Sequence, residues 1–218
     1  MDTYEVLGLV PEIVAKHYCV RSPLKQLEEY HKHTYLHSVH VAFIASQIAA
    51  EFGLSSHRIE SVAMGALLHD IGKLDVPLSI LNKEGPLTDE ELQFIQQHPL
   101  RSYERAGEAG VPMLPRLICL MHHYCINGEG YPIHFPEGVD SSRVPTEARI
   151  VTVADMYAAI VSPRPYKDSL EDIYALGELY KDVYNGRLDI RFVRSLDSLF
   201  RSRKLLININ AYMGPELP

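Results

Sequence analysis

The stretch that decides the fold class of this chain is TYLHSVHVAFIASQIAAEF, residues 34–52. Its larger apolar residues recur at steps of three to five positions: Leu36, Val41, Ile44, Ile48 and Phe52. This is the period of one face of an α-helix, and His37 lies on the same face. Gly53 follows at a position where helices commonly end in left-handed backbone. The stretch therefore predicts an amphipathic helix.

Helical patterns continue outward from this stretch. Ser55-Ser56 begins a helix that leads to His69-Asp70, and an irregular segment rich in Gly and Pro follows. Residues 88–91 have the form of a capping box, and the helix that they begin runs past His98, where Pro99 can interrupt it. Further helices are predicted over residues 115–124, 145–161, 168–184 and 190–200. Strand alternation is nearly absent, so the predicted class is all-α, a single bundle of about nine helices.

The predicted division of the chain has three parts. Residues 1–23 are expected to form a leading helix and linker, residues 24–200 the helical domain, and residues 201–218 a C-terminal tail. The leading helix carries an apolar stripe that includes Val10 and Ile13, and the sequence leaves open whether it packs on its own domain or on a second subunit.

Composition limits the function classes. A chain of 218 residues fits one domain. Its net charge of −7 argues against binding of nucleic acid through a large basic surface. No apolar run has the length of a membrane span, and the N-terminus lacks the basic region of a signal peptide. Three cysteines without zinc-site spacing favour a reducing compartment. We therefore expect a cytoplasmic protein that acts on a small ligand, without extended nucleic acid or membrane.

The placement of the histidines indicates metal chemistry. Seven side chains combine imidazole with carboxylate, a donor set that suits Fe, Mn or Zn: His37, His69, Asp70, His98, His122, His123 and Asp155. Asp155 lies in a strongly apolar run, where a carboxylate is costly unless it is paired or bound to metal. Each residue alone also has a structural interpretation: a satisfied core histidine, a polar helix end, or a pair between Asp155 and Arg149. The adjacent His69 and Asp70, with Gly and Lys at fixed offsets, make the combination more specific than any member.

Five ordered motifs resemble the HD-GYP family of metal-dependent phosphohydrolases. They are His69-Asp-Ile-Gly-Lys73, the connecting segment from Val76-Pro77 through Ile80-Leu81 and Leu87-Thr88 to His98-Pro99, His122-His123 with Gly128-Glu-Gly-Tyr-Pro132, Asp155 with Arg164-Pro-Tyr-Lys167, and Gly186-Arg-Leu-Asp189 with Phe192-Val193. The resemblance covers the chain from about His37 to Phe200.

This resemblance implies a helical domain with a metal centre in its core that hydrolyses cyclic di-GMP to linear pGpG, GMP or both. One ion would be held by His37, His69, Asp70 and Asp155, and the other by Asp70 as a bridge with His98, His122 and His123. Asp70 and Lys73 would be catalytic, and the substrate would contact Lys73, Tyr131, Arg164 and Lys167. A hydroxide between two cations can attack phosphorus, while Lys73 neutralises charge that develops on the phosphoryl oxygens.

Three residues depart from the family pattern. Tyr124 stands where a glutamate usually follows the two adjacent histidines His122-His123, which are called the HH pair below. Asn127 stands where the family usually has an aspartate before the next glycine. His33 takes the position of a glutamate that binds a third metal in some members of the family. His33 could point at the site from one helical turn before His37, or lie on the surface. Because negative charge is lost, we predict two divalent ions, Fe or Mn, rather than three.

Cys119 and Cys125 flank the HH pair, and we expect both to be structural.

Two functions from different classes remain open. The first is a cyclic di-GMP phosphodiesterase, and the second is a catalytically weak or inactive signalling module that binds cyclic di-GMP or a protein partner. A changed substrate, such as another cyclic dinucleotide, is a further alternative within the enzyme class. A homodimer or a signalling protein as partner is compatible with each. The full set of core ligands favours the enzyme.

Overall fold

The computed structural model describes residues 3–140, 142–161 and 172–202, and the secondary structure in these ranges is helical. The α-helices are α1 (Thr3–Lys16), α2 (Tyr18–Tyr30), α3 (Lys32–Glu51), α4 (Ser56–Leu68), α5 (Leu78–Leu81), α6 (Asp89–Ile95), α7 (His98–Glu108), α8 (Met113–Met121), α9 (Thr146–Val161), α10 (Asp172–Tyr184) and α11 (Ile190–Arg201). A 3₁₀ helix, η1, spans Ile71–Asp75 between α4 and α5. The predicted all-α class is confirmed.

The helix α3 lies at the centre of the bundle. From Thr34 to Ala49, every residue except Leu36 and His37 is buried, because α1, α2, α4, α9 and α11 pack around it. The sequence predicted a helix with one apolar face, but small residues such as Ala42, Ala45 and Ser46 make the remaining faces compatible with close packing. The helix therefore provides a rigid support for His37, one of its two partly exposed residues in that range.

The helix predicted to run from residues 88–91 past His98 is divided in two. Its capping box is confirmed, since Thr88 Oγ1 accepts from the Glu91 N–H at 3.2 Å and the Glu91 carboxylate accepts from the Thr88 N–H at 2.8 Å. The helix ends at Ile95, and α7 begins at His98 with Pro99 in its first turn. Pro99 has no N–H to continue the earlier helix, and this break places His98 at a junction between helices.

The leading helix belongs to the same bundle. Leu7, Val10 and Ile13 are buried in the main core, and α1 packs against α3 and α4. Its apolar stripe is thus covered within this chain. Residues 18–23, expected as part of a linker, lie in the first turns of α2. None of the helices in the described ranges combines the length and hydrophobicity that crossing a membrane requires.

Candidate metal centre

Three histidines stand at the ends of helices and turn toward one point. His69 and His122 cap the C-termini of α4 and α8, and His98 follows the end of α6. In each ring Nδ1 bonds the carbonyl oxygen three residues earlier, at 2.7 Å for His69, 2.7 Å for His98 and 2.8 Å for His122. A carbonyl only accepts, so each Nδ1 carries the proton and each neutral ring presents an unprotonated Nε2.

These Nε2 atoms form a buried cluster of lone pairs. The Nε2 atoms of His98 and His122 lie 3.2 Å apart, and Nε2 of His69 is buried without a hydrogen-bond partner among the described residues. Two unprotonated nitrogens at this distance repel each other unless a cation or a proton lies between them. Burial also lowers the pKa of His69 and of His122, which favours the neutral form that binds metals. The donor set therefore fits a divalent cation.

Asp70 lies between two groups of histidines. Its Oδ1 is 3.1 Å from Nε2 of His98, while its Oδ2 is 3.5 Å from Nε2 of His69 and 2.6 Å from Nζ of Lys73. Burial alone would raise the pKa of Asp70, but the Lys73 ammonium holds it well below its usual value. Asp70 is thus an ionised carboxylate whose two oxygens face different imidazoles, as a bridging ligand requires.

Asp155, a residue of α9, lies close to three histidines of the cluster. One of its oxygens accepts from Nε2 of His37 at 2.8 Å and lies 3.8 Å from Nε2 of His69. Its other oxygen is 3.9 Å from Nδ1 of His123. Arg149 contacts Asp189 at 3.5 Å instead, so the alternative in which Arg149 pairs with Asp155 is wrong. Asp155 therefore connects histidines from both parts of the predicted site.

All seven predicted ligands converge in this cluster. Within the described residues, three sets have ligand atoms within 4.8 Å of one another: His98, His122 and His123; His37, His69 and Asp70; and His69, His122 and Asp155. The first two sets correspond to the two halves that the family resemblance implied. The third set shares His122 with the first set and His69 with the second, so the two predicted ion sites are adjacent.

A glycine holds the Gly-Tyr-Pro segment against the HH pair. Gly130 has φ +97°, and a Cβ there would lie 2.0 Å from the His123 carbonyl oxygen. Only glycine permits this approach. The Tyr131 N–H then bonds the same oxygen at 3.3 Å, and the Tyr131 ring lies 4.5 Å from the His123 ring. The predicted substrate residue Tyr131 is therefore beside the cluster.

Gly72 joins the His-Asp segment to α7. A Cβ at Gly72 would lie 2.2 Å from the His98 carbonyl oxygen, and the Gly72 N–H bonds Ser102 Oγ at 2.8 Å. Ser102 is fully buried. Sequence reasoning missed Ser102, because it lies 30 residues from Gly72 in the chain and belongs to no recognised motif. This contact sets the position of Asp70 relative to His98.

A cavity of about 770 Å³ opens above one end of the cluster. His37, Asp70 and Lys73 line its inner end, and the segment 80–87 forms another wall. A volume of this size is typical of sites for small organic ligands. The cavity therefore connects Lys73 and two of the candidate metal ligands, His37 and Asp70, with solvent.

The three departures from the family pattern lie around the cluster. The Tyr124 ring packs edge-on against Phe135 at 5.2 Å, and Asn127 Oδ1 accepts from the Glu129 N–H at 3.1 Å in the following turn. His33 is exposed and lines the cavity one turn from His37. None of these three belongs to the ligand sets found in the described residues.

Neither cysteine beside the HH pair joins those sets. Cys119 is fully buried and its thiol contacts the Gly65 carbonyl oxygen at 3.7 Å, while burial raises its pKa. A protonated, enclosed thiol is inert, which agrees with the structural role expected for Cys119. Arg164 and Lys167, the remaining predicted substrate residues, lie outside the described residues.

Comparison with known proteins finds similar sequences and similar folds. A family model described as "HD domain" matches residues 8–191. The cyclic di-GMP phosphodiesterase response regulator RpfG of Xanthomonas campestris is 38% identical over 78% of this chain and 43% of its own length. The cyclic di-GMP phosphodiesterase PA4108 of Pseudomonas aeruginosa is 34% identical over 89% of this chain and 47% of its own. The chain thus spans less than half the length of these two relatives.

The HD domain of the L. monocytogenes phosphodiesterase PgpH has a similar structure. The TM-score is 0.61 at 19% identity, over 88% of this chain and 99% of that one. At this identity the similarity shows a shared fold. The structure and the family match thus agree on the architecture that surrounds the cluster.

Proposed function

Since the chain belongs to the HD-domain family, in its HD-GYP branch, we propose that it is a metal-dependent phosphodiesterase that hydrolyses cyclic di-GMP to linear pGpG, GMP or both. The observation that carries this proposal is the convergence of imidazole nitrogens and two carboxylates in one cluster, of which His37 and Asp70 line a cavity together with Lys73. The two relatives described above are both named cyclic di-GMP phosphodiesterases.

We propose two divalent cations, Fe or Mn. His37, His69, Asp70 and Asp155 would hold one, and His98, His122 and His123 would hold the other with Asp70 shared. When bound, such ions lower the pKa of water and stabilise charge on phosphoryl oxygens. The shared role of Asp70 is supported by its two oxygens, which face His98 on one side and His69 on the other.

The side chains around the cluster would stabilise charge on the phosphoryl group and bind the rest of the substrate. Lys73, now 2.6 Å from Asp70, stands at the inner end of the cavity, where its ammonium can donate to a phosphoryl oxygen. Such a donor favours the charge that develops during attack on phosphorus. Tyr131 would contact the substrate beside His123, and Arg164 and Lys167 would attract its second phosphodiester. These cations would provide local attraction on a protein of net charge −7.

The reaction is tested by incubating purified protein with cyclic di-GMP under anaerobic conditions with Fe(II) or Mn(II), and separating products by chromatography. We expect pGpG, GMP or both. The double variant His69→Ala, Asp70→Ala should lose bound metal and turnover together, because it removes ligands of both halves. Turnover that survives in this variant would show that the site is misassigned.

The same experiment separates the signalling-module alternative. A module without catalysis would bind intact cyclic di-GMP tightly and release no product at micromolar protein with either metal. The structure favours the enzyme, because Tyr124 and Asn127 make contacts of their own and leave the cluster complete. A product from cyclic di-GMP contradicts the inactive module, and a turnover rate far below that of a phosphodiesterase would support the catalytically weak one.

The remaining predictions concern the surroundings of this domain. We propose a cytoplasmic location, which is supported by three cysteines that are all unpaired. The division into residues 1–23, 24–200 and 201–218 stays a prediction, although α1 packs on the bundle that follows it. A homodimer or a signalling protein as partner also stays a prediction, and size measurement in solution tests the first of these.

A further inference from the structure

The outer part of the cavity has no role in the proposed hydrolysis. Of the proposed catalytic residues, His37, Asp70 and Lys73 line this cavity, whereas the rest of its lining includes His31, His33, Asn82 and Lys83. A volume of about 770 Å³ exceeds what a phosphodiester needs. The outer walls are therefore available to contact the bases of a bound dinucleotide.

His31 has a defined protonation pattern in this wall. As the N-cap residue of α3, its Nδ1 accepts from the Thr34 N–H at 3.3 Å, and Thr34 Oγ1 lies 2.7 Å from the same nitrogen. A backbone N–H can only donate, so Nδ1 carries no proton and Nε2 does. Nε2 lies 3.2 Å from Asn82 Oδ1 and donates to it.

Asn82 is thereby held in one orientation. Its backbone N–H bonds the Leu78 carbonyl oxygen at 2.9 Å at the end of α5, and its amide oxygen accepts from His31. The side chain is exposed and lines the cavity, and no acceptor within the described residues bonds its NH₂ group. The bond from His31 takes one of the two lone pairs of the amide oxygen and fixes which end of the amide faces His31, so the side chain presents its NH₂ donors to a ligand in the cavity.

We propose that Asn82, oriented by His31, selects guanine over adenine in the bound dinucleotide. This inference rests on the proposed function and names the base that the site prefers. Guanine presents two adjacent acceptors, O6 and N7, whereas adenine presents the N6 amino donor beside N7. The Asn82 NH₂ group, oriented by His31, can donate to O6 or N7 of guanine. At the position of O6, adenine presents its N6 amino group, which is also a donor and repels the Asn82 NH₂ group.

The test compares cyclic di-GMP with cyclic di-AMP on the metal-loaded protein. Dissociation constants are measured by stopped-flow mixing before turnover, and kcat/KM is measured separately. Asn82→Asp replaces the donor with an acceptor of the same shape, and Asn82→Ala removes the donor without adding charge. We expect the preference for the guanine ligand to fall about tenfold or more in Asn82→Asp, and by less in Asn82→Ala.

Two controls separate this effect from damage elsewhere. Turnover of bis(p-nitrophenyl) phosphate, which has no base, should be unchanged in both variants if the cluster is intact. Asn185→Asp makes the same chemical change at an exposed position between α10 and α11 and should keep the wild-type preference. His31→Ala should lower the preference by releasing the Asn82 amide.

The outcomes distinguish this inference from the proposed function. If the wild type binds cyclic di-GMP preferentially and hydrolyses neither dinucleotide, the phosphodiesterase proposal fails, and the Asn82 variants still test selection through binding. An unchanged preference in Asn82→Asp, or a wild type without preference, overturns the inference alone. Absence of binding to either dinucleotide overturns both.

Discussion

The Nε2 atoms of His98 and His122 lie 3.2 Å apart, although the Nδ1 atom of each ring already donates to a backbone carbonyl. Both atoms therefore carry lone pairs, and they face each other in a buried site. Such an arrangement is unfavourable without a positive charge. The protein thus has an electrostatic reason to bind cations here, independent of any resemblance to other proteins.

Metal addition should stabilise the folded protein. Each Mn(II) ion at about one hundred times its dissociation constant contributes about 2.7 kcal/mol, so that even one bound ion raises Tm by roughly 5–10 °C for a chain of this size. Thermal unfolding of chelator-treated protein with and without Mn(II) measures this shift. His57→Ala, which changes an exposed histidine outside the cluster, should keep the shift. A Tm that is the same with and without bound Mn(II) would contradict the expectation.

Asp70→Asn should remove both ions. The carboxylate faces His98 with one oxygen and His69 with the other, so its loss weakens both halves of the site. Metal content after gel filtration should fall from about two ions per chain to nearly none. Asp75→Asn is the matched control, because Asp75 pairs with Arg105 outside the cluster. Retention of one full ion in Asp70→Asn would show that the carboxylate serves a single ion.

Gly130→Ala should displace Tyr131 from the cluster. The alanine Cβ would lie 2.0 Å from the His123 carbonyl oxygen. At Gly138, with a similar positive φ of +82°, no atom of the described residues lies within 4 Å of an added Cβ. The difference between these variants isolates the contact with His123 from backbone strain alone. We expect Gly130→Ala to lower kcat/KM for cyclic di-GMP by at least about tenfold relative to Gly138→Ala. Equal activities would show that the contact with His123 does not position Tyr131.

Ser102→Ala should destabilise the junction between η1 and α7. The Gly72 N–H would lose its buried acceptor, at a cost of about 1–3 kcal/mol in the free energy of unfolding. Urea unfolding measures this cost, and Mn(II) affinity should fall because Asp70 and His98 are less well aligned. Ser198→Ala removes an exposed hydrogen bond to Glu51 and should cost less. Equal costs for the two variants would argue against a special role for Ser102.

Much of this architecture could be predicted because it depends on local patterns. The capping box at Thr88 and Glu91 is confirmed, since both partners lie within one helical turn. The order of the motifs also indicated the seven residues that converge in the cluster. The break before His98 was only suggested by Pro99, because a proline in a first turn and one inside a helix look alike in sequence.

Other features depend on contacts between distant segments. The burial of α3 on nearly all sides results from five helices packing around it, which a periodic pattern within residues 34–52 does not reveal. The bonds from Gly72 to Ser102 and from His31 to Asn82 join residues 30 and 51 positions apart. Neither pair has a sequence signature, because a serine, an asparagine or a histidine alone has many structural uses.

The proposed hydrolysis depends most directly on two cations held between these imidazoles and carboxylates. Anomalous scattering from crystals of the purified protein, together with metal analysis of the same sample, locates and counts the ions. We predict two per chain, one beside His37, His69 and Asp155, the other beside His98, His122 and His123, with Asp70 between them. Three fully occupied ions, or an ion-free cluster in metal-loaded protein, would contradict it.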